Sequence, residues 1–83
     1  MNDIGMQKHM LAILARLDGI AVRESVFASE VEIAVKRPIT TDEFNREMKE
    51  LMGTRRVKRS FDQFGEAMYE ITGAGKDALM GRG

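Results

Sequence analysis

The chain of 83 residues has no cysteine and no tryptophan, one proline and one histidine. Without cysteine there is no disulfide to staple a small fold, no thiolate metal ligand and no thiol nucleophile. His9, alone, has no partner set for a metal and reads as a surface residue of a first helix. No apolar run approaches the roughly 20 residues that a membrane-spanning helix needs. The start, Met1-Asn2-Asp3-Ile4-Gly5, lacks the basic flank and apolar stretch of a signal peptide. The expectation is a cytoplasmic protein with no membrane partner. Net charge is missing too, with 13 Lys and Arg against 13 Asp and Glu.

What is present suits one small domain, 1–83, with a thin core. Apolar residues make up 43% of the chain, too many for a disordered segment. Residues 1–5 and 81–83 are expected to fray.

Met6, Met10, Ile13, Leu14 and Leu17 recur at helical spacing, with Leu11 widening the stripe, and predict a first helix from Asp3 or Met6 to Leu17. Gly19 ends it. Ile20-Ala21-Val22 is a short strand or an extended link. A second helix from Arg23–Ser25 to Val35 or Lys36 buries Phe27, Val31, Ala34 and Val35, and Pro38 prevents its continuation. Thr40 or Thr41 caps a third helix. Asp42 and Glu43 then sit in its first turn, Phe44, Met48, Leu51 and Met52 form its stripe, and Gly53 is its stop. The period then becomes alternating. Val57, Arg59 and Phe61 face one way, and Arg56, Lys58 and Ser60 the other. Asp62–Glu66 is a turn, and Ala67, Tyr69 and Ile71 alternate in a second strand. Thr72 caps a last helix reaching Met80.

That order resembles a winged helix-turn-helix domain, an α+β fold: a three-helix core, a two- or three-stranded β wing and a short C-terminal helix. Phe44 through Val57 is similar to the third helix of such domains and its entry into the first wing strand. Tyr69-Glu70-Ile71-Thr72-Gly73-Ala74-Gly75-Lys76 resembles the wing exit of the MarR and PadR regulator families, where an aromatic, an aliphatic and Thr-x-x-Gly lead into a helix. The resemblance spans roughly Lys8 to Leu79. It implies a transcriptional regulator that binds double-stranded DNA, with the third helix in the major groove and the wing on the backbone. The long flanking helices that serve dimerisation in those families are missing here, and a homodimer is an open expectation.

On that reading the candidate DNA-binding residues are Asn45, Arg46 and Lys49 on the third helix and Arg55, Arg56, Lys58 and Arg59 entering the wing. Asparagine suits an adenine edge and arginine a guanine edge. Residues 53–60 hold four bases and no acid, so the remaining chain sums to −4. Such bases hold phosphates, although charges also protect an exposed sheet edge. The third helix counters this reading. Its outer face is Asp42, Arg46, Lys49 and Glu50, flanked by Glu43 and Glu47, and pairs such as Asp42–Arg46 and Arg46–Glu50 would make it an ordinary solvated helix.

The alternative is a non-catalytic protein-interaction module, contacting a partner through the wing or third helix, with Phe64 and exposed methionines as anchors. Met6, Met10, Met48, Met52 and Met68 at their spacings read first as core. Phe64 beside Gly65 is either an exposed wedge or folded back. No enzyme and no cofactor are expected. Gly73-Ala74-Gly75-Lys76 fails as a phosphate loop, because Glu70 stands where a glycine is needed and Asp77 where a Ser or Thr should follow Lys76.

Overall fold

A computed structural model describes residues 3–81. Its elements run α1 (Ile4–Arg16), β1 (Val22–Arg23), α2 (Glu24–Val35), α3 (Thr41–Gly53), β2 (Val57–Phe61), β3 (Ala67–Ile71) and α4 (Gly73–Leu79). The three strands form one antiparallel sheet in the order β1-β3-β2. This is the expected winged-helix architecture. Of the Ile20–Val22 stretch only Val22 is strand, pairing with Tyr69, and Arg23 completes the two-residue β1 while Ile20 and Ala21 are an extended link.

Of the ends expected to fray, residues 1, 2, 82 and 83 lie outside the described range. Asp3 to Gly5 are the cap and first residues of α1. The Asp3 carboxylate accepts from the Met6 amide at 3.0 Å, and Ile4 and Gly5 form the first turn of α1. Such a cap satisfies an amide that the helix itself leaves without a partner.

α3 is capped reciprocally. The Thr40 hydroxyl accepts from the Glu43 amide at 3.0 Å, and the Glu43 carboxylate accepts from the Thr40 amide at 3.1 Å. Its far end differs from expectation. Gly53 is the last helical residue and does not take the left-handed conformation. Arg55 does, at φ 60°. The Arg55 amide donates to the Met52 carbonyl and the Arg56 amide to the Leu51 carbonyl, the paired bonds of a Schellman ending.

The core lies between the helices and one face of the sheet. Met6, Met10, Leu14, Phe27, Val31, Met48 and Leu51 are almost wholly buried. Leu17, expected on the buried stripe of α1, is instead 38% exposed. Phe27, Phe44 and Tyr69 meet with ring centroids 5.7–6.1 Å apart, the spacing of favourable edge-to-face pairs. This cluster ties α2, α3 and β3 together and sets where the wing stands relative to α3.

Candidate nucleic-acid interface

The β2–β3 hairpin is pinned at both ends. At its base, the Thr72 amide donates to the Arg56 carbonyl at 3.1 Å and the Thr72 hydroxyl to the Arg55 carbonyl at 2.6 Å. The same hydroxyl accepts from the Gly75 amide and so caps α4. At its tip, Asp62 accepts from the amides of Phe64 and Glu66, and its other oxygen receives Arg23 at 2.7 Å. Gly65 completes the turn at φ 85°. These amide bonds, that of Glu66 first, hold the Asp62 carboxyl below its ordinary range. Hydrogen bonds from Ser25, side chain and amide, do the same for Glu66.

Strand alternation divides the basic residues of the wing. Arg59 lies directly opposite Tyr69 and shares its face of the hairpin with Val57 and Phe61. The Arg59 guanidinium stands 5.3 Å from the Phe61 ring centroid, within cation–π range. Lys58 lies opposite Glu70 on the other face, with its ammonium 3.8 Å from that carboxylate. Arg55, Lys58, Arg59 and Phe61 line a concavity with Met52 of α3 and Thr72. Arg56 lines a different groove, beside Ile4, Lys8, Leu11 and Ala78 of α1 and α4.

The α3 residues divide in the same way. Asn45, Arg46 and Lys49 are all exposed. Asn45, Lys49 and Met52 fall on one flank at helical spacing, and Met52 carries that flank into the wing concavity. Arg46 turns the other way, and its Nε donates to Glu47 at 2.9 Å. The expected Asp42–Arg46 and Arg46–Glu50 pairs are not formed.

Glu47 is what the sequence concealed. Expected on the flank of the outer face, it is 0% exposed. Its carboxylate accepts from the Gln7 side chain at 2.8 Å and the Asp3 amide at 3.0 Å as well as from Arg46. Burial pushes the Glu47 carboxyl up, but these three bonds and the Arg46 charge together hold it below its ordinary value. The signal available was Gln7, a polar residue within the apolar face of α1. Glu43 is also engaged. Arg37 donates to it at 2.9 Å, and that bond, with the Thr40 amide bond, lowers its carboxyl to about 2. Two of the four acids of α3 are therefore neutralised by Arg37 and Arg46. Among the described residues, Asp42 and Glu50 enter no ion pair, and neither do Lys49, Arg55, Arg56 and Arg59.

The remaining candidates separate clearly. Met6, Met10 and Met48 are core, Met52 and Met68 are half-buried, and His9 is exposed. Phe64 stands out from the wing tip, 81% exposed. Among the described residues, no group of His, Cys, Asp and Glu is placed to hold a metal ion. No described helix is long and apolar enough to cross a membrane.

No family model matches the chain, and no curated protein does. Among solved structures, RosR of H. salinarum is similar, at 21% identity and a TM-score of 0.77. The match covers 92% of this chain and 66% of that one. This likeness shows the fold. The chain is a winged-helix domain that spans about two thirds of RosR's length. The finer resemblance, to the MarR and PadR families, is not reached by it.

Proposed function

We propose that this domain is a DNA-binding winged-helix protein of the regulatory kind, non-catalytic, that grips duplex with α3 and the wing. The observation that carries the reading is the junction of those two elements. Arg55 and Arg59, free of carboxylate partners among the described residues, flank the concavity that Met52 of α3 enters. Lys49 and Asn45 continue that flank along the helix. Lysine and arginine so placed replace condensed counterions on phosphates, and Asn45 offers the amide that suits an adenine edge. Arg46, Arg56 and Lys58 serve less directly. Arg46 is held by Glu47, Lys58 faces Glu70, and Arg56 lies toward α1 and α4.

The similarity to RosR supports this reading at the level of fold only, because fold alone does not assign function. The partial neutralisation of α3 supports it further. The helix whose four acids argue against phosphate contact presents two of them already paired.

Duplex binding measured by fluorescence anisotropy across a salt series tests the proposal. Affinity should fall steeply with salt, with a log–log slope of about 0.9 for each phosphate neutralised. Arg59→Ala and Lys49→Ala should each weaken binding and flatten that slope by about 0.9. Lys58→Ala and Arg56→Ala should change it much less. Equal loss from all four, or no binding by the unaltered protein, contradicts the assignment.

The second reading, a protein partner at the wing, rests on Phe64. An aromatic side chain held out by a turn this well braced is a suitable anchor for a protein contact. Loss of a partner with Phe64→Ala while duplex binding persists would support it.

A further inference from the structure

We propose that the outer flank of α2 and the C-terminal end of α1 form a two-fold interface between two copies of this chain. The starting observation is α2 itself. Its buried side carries Phe27 and Val31, both 0% exposed. One flank beside it carries Val26 and Ile33, 51% and 70% exposed, with Glu30 between them. Residues 26, 30 and 33 share one face of a helix. A helix whose apolar stripe extends past its buried face onto a neighbouring flank offers that flank to a further contact, and nothing among the described residues covers Val26 and Ile33.

That outer flank is continuous with a second apolar element. Val26 and Glu30 line one groove with Ile13, Arg16 and Leu17 of the α1 end and with Val22 of β1. Ile13 and Val22 floor it, and Leu17 and Val26 stand exposed at its sides. An apolar strip bounded by one base and one acid is self-complementary. A two-fold axis through the strip sets Arg16 of one copy against Glu30 of the other, and the reverse contact follows from symmetry. Neither residue enters an ion pair among the described residues. The zero net charge of the chain removes the long-range repulsion that copies of a charged domain would feel.

The flank also lies on the correct side of the molecule for two functions to coexist. Ser25, Ala28 and Glu32, on the other flank of α2, face α3 across a separate groove. A dimer through Val26 and Glu30 therefore leaves α3 and the wing of each copy open. The inference does not depend on what the wing binds.

Sedimentation velocity of the full chain and its variants tests it. The unaltered protein should be a dimer and Val26→Glu a monomer, with circular dichroism unchanged. Arg16→Glu and Glu30→Arg each place like charges at both contacts and should each weaken the dimer at least tenfold, about 1.4 kcal/mol. An equimolar mixture of these two variants restores both pairs and should recover the dimer. A monomeric unaltered protein, a dimer that survives Val26→Glu, or a mixture that stays monomeric overturns the proposal.

Discussion

Gly75 occupies the tightest point in the chain. A Cβ there would lie 2.1 Å from the Arg56 carbonyl oxygen and 2.7 Å from the Ile71 side chain. The obstacle is backbone, which cannot rotate away. Gly75→Ala should force α4 off the base of the wing and cost about 2 kcal/mol or more. A thermal melt followed by circular dichroism should drop by roughly 8 °C or more, and an unchanged midpoint would contradict the packing. The Thr72–Gly75 spacing read from the sequence thus has a physical cause. Thr72 closes the wing and caps the helix, and Gly75 lets the two meet. Tyr69 offers a second check, because it is the sole tyrosine and there is no tryptophan. Burial and its hydrogen bond to Glu24 raise its phenol to about 12. With the folded value above the ordinary one, this contribution to stability is full below pH 10 and is lost as pH rises through about 12. An absorbance titration of the phenol should show ionisation near that value, and a midpoint near 10 would mean that the ring is not held as described.

Among the elements, α3 was the most legible, and it also concealed the most. Its cap, stripe and length follow from Thr40, Phe44, Met48 and Leu51 at their spacings. Its stop did not follow from Gly53, because the left-handed residue is Arg55, an identity that gives no conformational signal. Glu47 was equally unreadable. A carboxylate 0% exposed is tolerated only where several donors converge on it. Beside Arg46, those donors come from Gln7 and Asp3, 40 and 44 positions away. The start of α3 yields a prediction of its own. The Glu43 carboxyl is lowered from 4.5 to about 2, so its stabilising effect is complete above 4.5 and is lost as pH falls toward 2. Glu43→Gln should remove part of the acid dependence of stability in that window. A denaturation series across pH would check this, and identical acid dependence in both proteins would contradict it.

At the scale of the molecule, the order of helices, hairpin and last helix was readable because each element has its own period and stop signal. The site was readable only in composition. Four bases between 53 and 60 appear as one block in the sequence, but a strand sends neighbours to opposite faces and a tight turn redirects the residues before it. The fold consequently brings Arg55, Lys58 and Arg59 to the concavity beside α3, with Lys58 also opposite Glu70, while Arg56 lies beside α1 and α4. The acidity of α3 was legible too, but its pairing to Arg37 and Arg46 was not.

The central claim is that duplex DNA meets the junction of α3 and the wing. Nuclear magnetic resonance shift mapping during titration with a short duplex at low salt tests it most directly. The account predicts that the largest changes fall on Asn45, Lys49, Met52, Arg55 and Arg59, with Leu17, Val26 and Ile33 unmoved. Shifts centred on those last three residues, or none at the junction, would contradict it.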